Sequence, residues 1–255
     1  MNENNWEEEV LATFSNGRMA LFYWVANDDK KLALDLYLWD IALASALYGP
    51  LQHFEIVFRN TLDQYFRNVV GPEWTKETEW LSHSHFQDFG ALHNDLPTLL
   101  AKKRTRKDYR DNHNLCEFLD QMKAEDNIVA ETNLGIWVKF FAKHYKDFWS
   151  KKTPSGVKNL QAAFPHINPS WTENAVQKKV TQLNELRNRI AHHNPIFLRD
   201  LEEEYASLIA VIAAVSPATA NWVHQTSRFR NVLQAPPEGW KGRGSKAYKV
   251  LQEHQ

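Results

Sequence analysis

Apolar residues recur at steps of three and four along most of the chain, which is the period of an α-helix. The steps predict two long antiparallel helices near the start, over residues 32–48 and 50–70. A tight turn at Gly49-Pro50 is expected to join them, because proline suits the first turn of a new helix. The expected inward faces are Leu34, Tyr37, Leu38, Ile41, Ser45 and Tyr48, followed by Leu51, Phe54, Phe58, Leu62 and Tyr65.

The same period predicts four more helices in the second half, over residues 128–149, 171–192, 201–215 and 217–224. The first should be buried, with a bend at Gly135 left open, and Pro195 should end the second. The expected inward face of the second helix consists of Val176, Val180, Leu183 and Ile190. Tryptophans in apolar stretches are interpreted as core residues: Trp24, Trp39, Trp137 and Trp222. No stretch alternates with a period of two, so the predicted fold class is all-α.

Composition narrows the classes of protein that the chain can represent. A hydrophobic fraction of 43% over 255 residues favours a folded core over disorder. The single Cys116 excludes an intramolecular disulfide and fits a reducing compartment. The longest uncharged stretch, Tyr205 to Val223, has too short an apolar part to predict a membrane span. The acidic start does not resemble a signal peptide, so we expect a cytoplasmic protein.

One stretch near the end of the helix predicted over residues 171–192 combines groups that can act on a phosphate. It contains Arg187, Asn188 and His192. An imidazole exchanges protons near neutral pH, a guanidinium binds a phosphate with two hydrogen bonds, and an amide can position either group. By spacing alone, salt bridges and helix capping are the ordinary explanation of these residues.

The spacing also raises a geometric difficulty. Asn188 and His192 share a face, whereas Arg187 and His192 diverge by roughly 140° on a regular helix. One small substrate can therefore reach both only if the helix loosens before Pro195, or if a second copy of the helix supplies one of the two groups.

The surroundings of these residues carry a resemblance to a known family. Arg-Asn-x3-His is the signature of the HEPN superfamily, and the stretch from Leu186 to Ile196 resembles its Abi-like family. Four other blocks are similar to that family and occur in the same order: residues 17–23, 33–40, 51–60 and 129–137. Two positions depart from the family pattern. Asp40 stands where asparagine is usual, and Asn133 stands where phenylalanine is more frequent. The resemblance covers roughly residues 14–235.

The resemblance implies an all-α HEPN-type helical bundle with extra helices. We expect one domain over residues 1–235, followed by a loosely ordered basic tail over 236–255. The implied activity is a metal-independent endoribonuclease in phage defence, of the abortive-infection or toxin–antitoxin type, without a cofactor. Its implied partners are an RNA substrate and a second copy bound through the motif helix, and a protein or RNA antitoxin is left open. The alternative is a non-catalytic module that binds RNA or protein.

Further residues are candidates for supporting roles. The Arg-Asn-x3-His spacing of the family selects His192 as the catalytic histidine. His193 and Arg189 are then expected to be supporting residues. Glu131 lies on an apolar stretch and is considered as a group that orients Arg187 or His192, although a salt bridge elsewhere is the ordinary alternative. A basic run is considered for RNA contact: Lys102, Lys103, Arg104, Arg106 and Lys107. No metal site is expected at His83, His85 and His93, and Glu55 should pair with Arg59.

Overall fold

The computed structural model of the protein describes residues 6–69, 133–240 and 242. Within those ranges it contains ten α-helices, one 3-10 helix and no strand, so the predicted all-α fold is confirmed. The helices of the first range are α1 (Trp6–Ala12), α2 (Asn16–Val25) and α3 (Lys30–Val69). Those of the second are α4 (Leu134–Lys139), α5 (Lys146–Ser150), α6 (Asn159–Ala163), α7 (Glu173–Ala191), α8 (Leu201–Val215), α9 (Pro217–Thr226) and α10 (Phe229–Leu233).

Helix α3 runs without interruption through Pro50, so the predicted turn at Gly49-Pro50 is wrong. A proline inside a helix removes one hydrogen bond and costs about 3 kcal/mol. The apolar face nevertheless continues in phase on both sides of it, with Leu47, Leu51 and Phe54 all buried. Each such side chain contributes about 1.5–3 kcal/mol when it is buried. Burial of the continuous face therefore offsets the cost of the proline.

The inward face of the first half of α3 also differs from the prediction. Leu36, Leu43 and Leu47 are buried there. Leu38 and Tyr48 of the predicted face are 61% and 62% exposed, and Ile41 is exposed as well. The buried stripe passes through Asp40, and this charged residue interrupts the apolar pattern in the sequence. The predicted face of the second half is confirmed, because its five residues are all buried.

The chain divides into two compact units, and each is described by itself. The first unit comprises Met1–Leu51, Glu185–Ala206 and Val223–Gln255. In its core the ring of Phe22 stacks on that of Phe197 at 5.2 Å, and the Trp39 indole donates to the Val232 carbonyl oxygen at 2.9 Å. Whether residues 1–235 form one domain stays a prediction.

The start of the predicted loose tail is packed in this first unit. The ring of Trp240 lies 5.8 Å from that of Phe197 and 6.3 Å from that of Trp39. Trp240 therefore contacts this core, while the rest of the tail after it, except Gly242, lies outside the described residues. Whether the tail as a whole is loosely ordered stays a prediction.

The second unit comprises Gln52–Asn184 and Ser207–Trp222 and has an aromatic core. The helix predicted over residues 128–149 is wrong as a continuous element, because α4, a 3-10 helix at Lys143–Tyr145 and α5 occupy its described part. On a straight helix Phe140 and Trp149 would point in opposite directions, nine residues apart. The breaks let the Trp149 indole donate to the Phe140 carbonyl oxygen at 2.6 Å and stack on Phe141.

Several smaller expectations have clear outcomes. Glu55 and Arg59 form the expected ion pair at 3.9 Å. Trp39 and Trp137 are buried as expected, whereas Trp24 and Trp222 are exposed and are not core residues. By length and composition alone α3 could cross a membrane, but a core helix passes the same test, so this is weak support for a span.

Candidate functional site

Helix α7 carries the candidate site at its C-terminal end. Its buried positions include Val176, Val180 and Leu183, as predicted, and also Leu186. Ile190 is only half-buried, so its predicted inward position is not found.

The motif residues follow this apolar stripe at the surface of the first unit. The structure places Asn188, His192 and His193 in exposed positions and Arg187 and Arg189 in half-buried ones. All five therefore belong to the last turn of one helix and the residues directly after it.

The helix ends in a defined backbone motif rather than by fraying. The His193 N–H donates to the Ile190 carbonyl oxygen at 3.0 Å, and the Asn194 N–H donates to the Arg189 carbonyl oxygen at 2.8 Å. These two bonds and a φ of 56° at His193 make a Schellman cap, in which the residue after the helix turns left-handed. The helix therefore ends before Pro195 has any effect on it, four residues earlier than the proline.

His192 still follows the helix. Its N–H donates to the Asn188 carbonyl oxygen at 3.0 Å, which is the bond of a regular α-helical turn. The loosening considered from the sequence begins only after His192, so it does not reduce the divergence between Arg187 and His192. The contact between the Arg187 Nη1 and the Asn188 Oδ1 is 3.5 Å, at the limit of a hydrogen bond.

Polar contacts of three side chains, Arg189, Asp40 and Arg199, hold the loop that follows the motif. The Arg189 guanidinium donates to the Pro195 carbonyl oxygen from Nε at 3.2 Å and from Nη2 at 2.7 Å. The Asp40 Oδ1 accepts the N–H groups of the next two residues of the loop, residues 196 and 197, at 2.7 and 2.8 Å. Arg199 pairs with the buried Glu204, with 2.9 Å from Nε to Oε1. Arg189 therefore helps to fix the loop that follows the motif.

Asp40 is a buried residue beside the candidate site that the sequence analysis did not select as a site residue. It is only 5% exposed, and burial raises the pKa of its carboxyl group. The two backbone donors and the charges of Arg18 and Arg189 act in the opposite direction but are outweighed. A charged residue in line with Leu36 and Leu43 was the available signal, because buried carboxylates are rare unless they are paired.

The role of Asp40 leads to a first prediction, on stability. Asp40→Asn keeps an oxygen acceptor for both backbone donors, so it should fold at least as stably as the wild type at pH 7. Asp40→Leu leaves both donors unpaired and should lower the free energy of unfolding by about 2–4 kcal/mol. Urea unfolding measured at pH 4 and pH 7 checks both variants.

The pH dependence of this prediction has a definite sign. A carboxyl group whose pKa is higher in the folded than in the unfolded protein makes the folded protein less stable as pH rises between the two values. The wild type should therefore lose stability relative to Asp40→Asn between pH 4 and pH 7. Equal damage from the asparagine and leucine variants would show that the oxygen acceptor is not what holds the loop.

The remaining candidates are not placed. Glu131, Lys102, Lys103, Arg104, Arg106 and Lys107 lie outside the described residues, as do His83, His85 and His93. In the part of the chain that the structure describes, no three histidine, cysteine, aspartate or glutamate residues are grouped as a metal site would need.

Comparison with known proteins supports the resemblance seen in the sequence. The family model described as Abi-like protein matches residues 22–198, a range that includes Asp40 and the whole motif. An all-α chain with this match belongs to the Abi-like protein family, which points to abortive infection, a form of phage defence. Neither a curated protein nor a solved structure matches the chain.

Proposed function

We propose that the protein is a HEPN-type endoribonuclease that acts in phage defence, as an abortive-infection effector or the toxin of a toxin–antitoxin pair. One observation carries the proposal. Arg187, Asn188 and His192 lie together at the surface end of one helix, in a member of the Abi-like family. The loop after this end is fixed at Pro195 and at the next two residues, so the site is supported before any substrate binds.

The chemistry assigns one role to each of the three residues. His192 removes the proton of a ribose 2′-hydroxyl, whose oxygen then attacks the adjacent phosphorus. The bond from phosphorus to the 5′-oxygen breaks, and the imidazolium returns a proton to that oxygen. The products are a 2′,3′-cyclic phosphate and a 5′-hydroxyl, so atoms and protons balance without an added reactant. Arg187 binds the phosphate and stabilises its developing charge, and Asn188 positions these groups.

Two copies of the chain complete each site in this proposal. The regular helical bond at His192 keeps it roughly 140° from Arg187 around the helix axis. A two-fold axis beside the motif helices would bring Arg187 of one copy close to His192 of the other, and two-fold dimers are the commonest homo-oligomers. The partners proposed are thus a cytoplasmic RNA and a second copy, with a protein or RNA antitoxin as a candidate regulator.

Cleavage in the presence of a chelator tests the proposed activity. The purified full chain is expected to cut single-stranded RNA with excess EDTA present, because the imidazole and the guanidinium supply the acid–base and charge-stabilising groups. Gel analysis with end-group mapping should show cyclic-phosphate and 5′-hydroxyl ends. Complete loss of cleavage on chelation would contradict the metal-independent mechanism. Binding of RNA without cleavage would favour the non-catalytic module instead.

A further inference from the structure

A histidine stands in a backbone conformation that normally selects glycine. His193 has a φ of 56°, in the left-handed region that side chains with a Cβ disfavour. Among the described residues, the other two non-glycine residues with positive φ are Asn27 and Asp28, and asparagine, aspartate and histidine are the non-glycine types found there most often. His193 directly follows the proposed catalytic His192.

The surrounding contacts stabilise this conformation. The N–H groups of His193 and Asn194 are bound to carbonyl oxygens of the preceding turn. Directly afterwards, the Pro195 carbonyl oxygen is held by Arg189 and the Ile196 N–H by Asp40. The chain therefore leaves the helix axis within four residues of Ala191, and the left-handed residue provides this change of direction.

The side chain of His193 is not what holds the turn. His193 is exposed, and its ring makes no hydrogen bond, ion pair or ring contact within the described part of the chain. The contribution of residue 193 lies in its left-handed backbone conformation. A helical φ at residue 193 would continue the helix, and the backbone of residues 194–196 would then extend beyond His192 instead of turning away from it.

We infer that His193 is a positioning residue for His192, and that it acts through its left-handed backbone rather than through its imidazole. The inference rests on the proposed function, since His192 is the group being positioned. Helix α7 ends at Ala191 and the turn follows directly after His192, so that this imidazole stands at the free end of the helix. The bonds at Arg189 and Asp40 keep it there.

Three substitutions at one position separate the backbone from the ring. His193→Gly removes the imidazole and favours the left-handed turn, His193→Asn removes it and tolerates the turn, and His193→Ala removes it and disfavours the turn. His166→Ala, at an exposed histidine of the second unit, is the matched control for loss of a surface imidazole.

The backbone conformation of residue 193 sets the expected order of RNA cleavage among the three variants. Glycine and asparagine variants should cut RNA within about twofold of the wild type. The alanine variant should lose roughly several-fold in kcat with little change in KM, because histidine occurs several-fold more often than most side chains in the left-handed region and alanine does not. The melting temperature of the glycine variant should exceed that of the alanine variant by roughly 2–4 °C. The imidazole NMR signals of His192 should stay in place in the glycine variant and move in the alanine variant.

The outcomes distinguish this inference from the proposed function. If the wild type cuts no RNA, the proposed function fails, while the melting temperatures and the His192 signals still report on the turn. Equal losses in the glycine and alanine variants would assign the role to the imidazole and overturn the inference. So would His192 signals that stay unchanged in all three variants.

Discussion

Replacing His192 or Arg187 with alanine is expected to lower RNA cleavage by about a thousandfold, since general acid–base catalysis contributes about 10²–10⁴ and one charge-stabilising donor about 10²–10³. His192 is exposed, so its removal should change the melting temperature little. The loss should therefore appear in kcat rather than in the amount of folded protein. Single-turnover cleavage, measured beside thermal melting, separates the two effects.

The controls for this prediction are chosen from the same unit. Arg230→Ala removes an exposed guanidinium from α10 and should leave cleavage unchanged. The double variant lacking Arg187 and His192 should be little worse than either single variant, because residues that act together are not additive. Retained cleavage in His192→Ala, with loss in His193→Ala, would transfer the acid–base role to His193 and show the assigned register to be wrong.

The fold class could be predicted because local patterns decided it. Helix α8 begins at Leu201 and ends at Val215, as predicted. Pro217, at the start of α9, separates this helix from the next. Where start and stop signals agree with apolar periodicity in this way, local sequence is sufficient.

Prediction failed where tertiary packing outweighed local signals. The helix through Pro50 forms although proline is a local stop signal, since burial along one continuous face offsets the lost bond. The stretch before Trp149 breaks although it contains no proline, because its aromatic side chains would otherwise not reach the same core. Neither outcome follows from helical periodicity, which describes one helix without its neighbours.

The candidate site could likewise be predicted from the sequence only in part. Arg187, Asn188 and His192 could be named from the sequence because their types and order are informative. The left-handed turn at His193 could not, because glycine is the residue that ordinarily marks such turns and histidine occurs there far less often. The loop directly after the turn is held by a contact distant in sequence, the hydrogen bond that the Ile196 N–H donates to the Asp40 Oδ1, 156 residues apart.

Mixing two inactive variants is expected to restore cleavage if each site draws on two chains. In a dimer of one Arg187→Ala chain and one His192→Ala chain, one site lacks both groups and the other has both. Random exchange makes half of the dimers mixed, each with one intact site of two, so activity should return to about a quarter of the wild type for a two-fold dimer. This is a gain of more than a hundredfold over either variant alone.

The measurement needs the two variants to exchange partners. They should be co-expressed with different tags and purified through both, and a co-expressed pair of two His192→Ala chains serves as the control. The tandem-purified mixed dimer alone should reach about half of the wild-type rate, since one of its two sites is intact. If each chain carried a complete site of its own, the mixed dimer would stay as inactive as its parents. Cleavage at full rate by a wild-type protein that sediments as a monomer would exclude the shared site, and the divergence of Arg187 and His192 would then have to be overcome by movement within one helix.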